Sequence, residues 1–171
     1  MGEEMKHKFI AKRYWNSVTT PMGEVMELAY KYDDIINLSL GDHDFVTDAG
    51  VIDEACKDAH RGHTKYADSM GDPELREEIQ RYYREVYGYP VGLREMMVVV
   101  GACHGMYLVL EAILDDGDEV IVPEPYFTPY SHQIQLARGK FVPLETLEEE
   151  GFQINIEKLK ALITNRTKAI I

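Results

Sequence analysis

The chain has 171 residues, 45% of them hydrophobic and 28% charged, with a formal net charge of −12. That length suits one ordinary domain with a real core. The acid excess argues against nucleic acid and anionic membrane as partners, since both need a basic face, but a helix N-terminus can hold a phosphate with few cationic side chains. No segment approaches the ~18 apolar residues of a membrane helix. Met1–Lys8 is charged with no apolar stretch behind it, so no signal peptide is expected. Cys56 and Cys103 lie far apart in sequence and suggest neither a disulfide framework nor a zinc site, which suits a reducing, cytoplasmic compartment.

Residues 1–20 are polar and aromatic without clear period and read as an arm. Pro21 opens a helix to about Tyr32, with Val25, Met26 and Ala29 on one face. Ile35–Leu40 has the pattern of a short strand and ends at a loop, Gly41-Asp42-His43-Asp44. A helix follows over about Val51–Arg61, stopped by Gly62. Asp72-Pro73-Glu74 then combines an N-cap, a proline at the first helical position and an acid in the first turn. That helix carries Leu75, Ile79, Tyr82 and Val86 at helical spacing and stops at Gly88.

Beyond Gly88 strands and helices alternate. The pattern predicts a strand over Met97–Val100, a helix over His104–Leu114 and a strand over Glu119–Val122. It continues with a helix over Tyr126–Ala137 ending at Gly139, and a strand over Lys140–Leu144. Asn155 caps a helix over Ile156–Ile163, and a strand begins at Lys168. This spacing predicts an α/β fold, a parallel sheet with helices on both faces. Glu148-Glu149-Glu150 reads as a solvated turn.

Three segments carry candidate chemistry. Gly101-Ala102-Cys103 joins a strand to a helix; it is either an anion site at a helix N-terminus or a tight turn of small packing residues. It is neither G-x-G-x-x-G nor a P-loop. Pro123–Tyr130 places three prolines and three aromatics after a strand, either to stack on a planar ligand or to fill core. Tyr66–Arg76, taken alone, is a loop entering a capped helix. His60 and His63 lack the companions of a metal quartet, and Lys65 sits in a polar loop that would not lower its pKa.

Together these segments resemble the class I/II aminotransferases, pyridoxal-phosphate enzymes of fold type I. Leu40–Thr47 resembles the family's L-G-x-P-D-F-x-T, and Tyr66 to Arg76 its Y-x-x-x-x-G-x-x-E-L-R. Val99–Cys103 resembles its strand and phosphate-binding turn, and Leu114–Pro125 its L-D-P-G-D-E-V-x-V-P-x-P. The chain departs at His43 and Asp48, where proline is usual, and at Cys103, where a polar or hydroxyl residue is usual.

The resemblance implies a three-layer α/β/α large domain, represented by its first four strands. Residues 1–45 would be the arm and a small-domain segment, and 46–171 the N-terminal part of the cofactor-binding domain. Gly101, Ala102 and Cys103 would cradle the phosphate of pyridoxal 5′-phosphate, and Phe127 would stack on its ring. Tyr66 would reach the phosphate of the neighbouring subunit in a homodimer, and Gly41 would approach the substrate carboxylate through its N–H. The substrates would be an amino acid and a 2-oxo acid. The native strand order would leave Met97–Val100 unpartnered in this chain and group the strands near Val120, Val142 and Ile170. Open strand edges favour self-association.

The family's Schiff-base lysine, the aspartate facing the pyridine nitrogen and the carboxylate-binding arginine find no match, so no catalytic residue and no metal ligand is assigned. The chain thus reads as the N-terminal portion of an aminotransferase. The alternatives are a portion of a C–S lyase or decarboxylase of the same fold, or a short non-catalytic binding module. The 171-residue polypeptide alone is expected to show no amino transfer when pyridoxal phosphate is added. Turnover above a buffer control would overturn that expectation.

Overall fold

The computed structural model describes residues 8–15, 21–36, 38, 41 and 43–171. The chain forms two units, residues 1–63 and residues 64–171.

The first unit is helical. A 3-10 turn, Lys12–Tyr14, precedes helix α1, Pro21–Ala29. The helix stops short of Tyr32 because Lys31 and Tyr32 donate to Leu28 and Ala29, tighter i→i−3 bonds that close it. The expected strand over Ile35–Leu40 is not present at Ile35, Ile36 or Leu38, and Asn37, Ser39 and Leu40 lie outside the described residues. Helix α2, Ala49–His60, begins two residues earlier than its apolar pattern because Asp48 caps it, accepting from the Gly50 N–H at 2.8 Å.

In the second unit, helix α3, Pro73–Tyr87, follows its sequence signals closely. The Asp72 carboxylate accepts from the Leu75 N–H at 3.1 Å, and Gly88 takes the left-handed conformation at φ +65°. Helix α4 spans Gly101–Ile113, and strand β1 spans Glu119–Glu124. Helix α5 spans Pro129–Leu136 and strand β2 Lys140–Glu145. Helix α6, Ile156–Leu162, leads to strand β3, Thr167–Ile170. The sheet is parallel throughout, in the order β2-β1-β3. This is the group of three that the resemblance implies. Met97–Val100, expected as a strand left without a partner in this chain, forms no ladder among the described residues; Val98 N–H donates to Met70 O at 3.0 Å.

Alternation along β1 explains the core. Val120 pairs with Phe141 and Ala169, so these three share one face, and Val122 follows on that same face. Against it α4 sets Met106, Leu110 and Leu114, one row at four-residue spacing, and α5 sets Tyr130, Ile134 and Ala137. Each fully buried aliphatic side chain contributes on the order of 1.5–3 kcal/mol. Ile121 and Leu144 are buried on the opposite face, and α6 packs against β2. Pro123 is tolerated in the central strand because the pairing with β3 ends at Ile121. Helix α5 was expected to stop at Gly139, yet the left-handed residue is Arg138, at φ +65°. Gly139 is needed for space instead: a Cβ there would lie 2.7 Å from Leu114 Cδ1.

At the amino end of the sheet, Glu119 is only 4% exposed. Its carboxylate accepts from Thr164 Oγ1 at 2.6 Å and Lys140 Nζ at 2.9 Å, with an Arg166 guanidinium nitrogen 3.6 Å away. Its N–H donates to Arg166 O at 2.8 Å. The Thr164 hydroxyl, then Lys140, hold its pKa below the ordinary carboxylate value, against the opposing effect of burial. A carboxylate whose folded pKa is depressed stabilises the fold above its unfolded pKa, about 4.3, and that stabilisation fades as pH falls through the folded value. Glu119→Gln is therefore expected to lower the thermal midpoint at pH 7, with the gap to the parent chain narrowing below about pH 4. Melting curves from pH 7 to 3 measure this; a gap independent of pH would contradict it.

Candidate functional site

Leu114, at the end of α4, lies near Gly139 and the start of β1, since the Cβ position of Gly139 neighbours both Leu114 Cδ1 and Asp118 O. A 13-residue helix and a six-residue strand are both about 20 Å long. The N-terminus of α4 therefore comes out at the carboxyl edge of the sheet, where open α/β folds bind ligands.

The sequence places Gly101–Cys103 in a loop before the helix; the structure makes them its first turn. The N-cap, Val100, has no side chain able to accept a hydrogen bond, whereas α2, α3 and α6 are capped by Asp48, Asp72 and Asn155. Among the described residues no acceptor meets the N–H groups of Ala102 and Cys103. Gly101 sits at φ +81° with its N–H turned back to Val99 O at 2.9 Å, and a Cβ there would meet nothing within 4 Å. The backbone angle, not space, asks for glycine. His104 Nδ1 accepts from the Val100 N–H over a long 3.4 Å. Gly101, Ala102, Cys103 and His104 are all exposed.

Phe127 stands just before α5, 56% exposed, edge-on to Tyr130 with ring centroids 5.6 Å apart. Tyr130 belongs to the core, so Phe127 is braced on one side and open on the other. The expected start of α5 at Tyr126 moves to Pro129, whose ring occupies the first helical position. The peptide before Pro125 is cis. The Thr146 hydroxyl donates to Glu124 O, tying the end of β1 to the loop after β2.

Sequence reasoning missed Gln133. Its side-chain Nε2 donates to Cys103 O at 2.9 Å and so links α5 to the first turn of α4. The signal was a polar residue beside the apolar stripe of Tyr130, Ile134 and Ala137.

Tyr66 is fully exposed, in the irregular stretch before α3. Hydrogen bonds hold the loop that follows it. Arg76 Nε donates to Gly71 O at 3.2 Å and an Arg76 terminal nitrogen to Leu93 O at 3.3 Å, with Asp68 3.7 Å away. Gly71 lies at φ +99°, and a Cβ there would fall 2.4 Å from Val98 Cβ. The Gly and Arg of this motif thus shape the loop. Gly41 belongs to the first unit and has open space around it, whereas the other candidate residues belong to the second.

Gly71→Ala combines a left-handed backbone with an overlap. It is expected to destabilise the chain by about 2–4 kcal/mol in urea unfolding. A loss under about 1 kcal/mol would show that the loop relaxes away from Val98.

The model of the family Aminotransferase class I and II matches residues 33–171. An aspartate aminotransferase of Geobacillus stearothermophilus is 43% identical over 145 residues, 85% of this chain and 37% of that protein. One from Pyrococcus horikoshii is 34% identical over 171 residues, all of this chain and 44% of that protein. Among solved structures, Thermus thermophilus aspartate aminotransferase with maleate has a TM-score of 0.86 at 35% identity, covering 96% of this chain and 44% of that one. The chain spans less than half the length of these relatives.

Proposed function

The chain belongs to the class I and II aminotransferases, and we propose that it supplies the phosphate- and ring-binding bed for pyridoxal 5′-phosphate in an enzyme that moves an amino group between an amino acid and a 2-oxo acid. The observation that carries this reading is the uncapped first turn of α4 at the carboxyl edge of the sheet. Its unmet N–H groups and the positive end of the helix dipole suit a phosphate dianion, even in a chain of net charge −12. The open side of Phe127 suits a planar ring. The residues present therefore fit the group.

Each residue has a separate task. The N–H groups of Ala102 and Cys103 donate to the phosphate, while left-handed Gly101 turns the chain out of its way. Phe127 covers one face of the ring and keeps water from it. Tyr66, exposed on its braced loop, donates its hydroxyl to the phosphate bound by the partner in a homodimer. The Gly41 N–H donates to the substrate carboxylate. Bound pyridoxal phosphate supplies the electron sink that amino-group transfer needs. The functional division of the chain falls at residue 45, with the cofactor bed in 46–171. Among the described residues no helix is long and apolar enough to cross a membrane. Cys56 and Cys103 suggest no disulfide framework, and we propose a cytoplasmic enzyme.

Cys103→Asp separates binding from folding. An acid in the first turn favours the helix, so the melting temperature should hold or rise. Pyridoxamine 5′-phosphate, followed by titration calorimetry on the full chain, should bind at least tenfold more weakly, because the new carboxylate faces the phosphate. Affinity for pyridoxamine, which lacks the phosphate, should not change. Equal affinity of both chains for the phosphorylated compound would remove this turn from the site.

A further inference from the structure

We infer that Gln133 is a positioning residue for the anion turn, holding the first turn of α4 in fixed relation to the helix that presents Phe127. The inference rests on the cofactor-binding reading above.

Three observations support it. First, Gln133 Nε2 donates to Cys103 O at 2.9 Å, across 30 positions of sequence. A carbonyl can only accept, so the amide nitrogen must face it. In a helix that carbonyl also serves the N–H one turn on, and Gln133 uses its second lone pair. Second, Gln133 is only 9% exposed, on α5 between Tyr130, which packs against the core, and Ala137, which belongs to it. Third, its other amide atom, Oε1, is buried without a hydrogen-bond partner among the described residues. An orphaned buried acceptor weakens a fold. An apolar side chain of the same length would leave no orphan. On stability alone, glutamine is a poor choice at this position.

The geometry explains what the bond does. The peptide that Gln133 grips runs from the Cys103 carbonyl to the His104 N–H, and it is planar, so holding one end aims the other. The same residue, Cys103, carries one of the unmet N–H groups on its other side. Gln133 therefore sets the direction of donors in the first turn. It does so from α5, whose N-terminal flank carries Phe127 packed edge-on against Tyr130. One side chain thereby fixes the spacing between a donor set for an anion and an aromatic face. A ligand with a phosphate at one end and a flat ring at the other needs that spacing held. Donation to the carbonyl also polarises the peptide, which strengthens its N–H as a donor.

The test is Gln133→Met in the full chain, a swap of similar volume that removes both donor and orphan acceptor. The melting temperature is expected to hold or rise. Affinity for pyridoxamine 5′-phosphate is expected to fall at least fivefold, and affinity for pyridoxamine to stay within twofold. Amide exchange at Ala102, Cys103 and His104 is expected to quicken. A melting temperature that falls together with both affinities would mean a purely structural role and would overturn the inference, as would unchanged phosphate affinity. If Gln133→Met does not fold, Gln133→Glu keeps the shape without the donor and must show the same phosphate-specific loss. Failure of the unsubstituted chain to bind the phosphorylated compound would overturn the cofactor reading itself, and this inference with it; binding that Gln133→Met leaves intact would overturn this inference alone.

Discussion

Parallel strands have no hairpin to set their register, so something else must gather them. In this chain Glu119 does so. From the first residue of the central strand its carboxylate takes hydrogen bonds from Lys140, which begins β2, and from Thr164, just ahead of β3. Its backbone N–H joins the same loop through Arg166 O. A buried carboxylate so held cannot slip by one residue without losing its donors and flipping every β1 side chain to the wrong face. With the amino ends aligned, Val120 and Val122 meet α4 and α5, and the opposite edge of the sheet comes out in one defined geometry.

That opposite edge is built on the reverse principle. At the amino end polar groups are satisfied. At the carboxyl edge the first turn of α4 is left without a cap, and Val100 stands where Asp or Asn caps other helices. The stability forgone at an uncapped helix is on the order of 1 kcal/mol. The hydrophobic cluster between the two edges makes it tolerable, because α4 is anchored by Met106, Leu110 and Leu114 rather than by its first turn.

The sequence was most legible where structure is decided locally. Asp72, Pro73 and Gly88 mark α3 because a cap, a proline and a left-handed stop act within a turn or two. Asn155 did the same for α6. Met97–Val100 was legible through the family resemblance as a strand without a partner in this chain, and it forms no ladder among the described residues. The start of α4 was placed three residues late because Gly101 looks like a loop residue, although only its φ is unusual. Asp48 was missed as a cap because the apolar pattern begins later. Arg138 and Gly139 exchanged roles because sequence shows that a glycine is present, not whether angle or space requires it. Of the candidate site, the Gly101–Cys103 turn and Phe127 were visible through family-like motifs. Gln133 was not, since a bond across 30 positions leaves no local pattern.

The uncapped end of α4 also has a consequence for kinetics in salt. A chain of net charge −12 repels an approaching anion at long range, and that repulsion is screened beyond about 8 Å at physiological ionic strength. The attraction at the helix end acts only within its first turn and through oriented N–H groups, where little salt intervenes. The two forces therefore respond differently to the medium. For the phosphate site proposed above, added salt would speed the arrival of a small dianion and barely alter how long it stays, the opposite of the behaviour of a pocket lined with lysine and arginine.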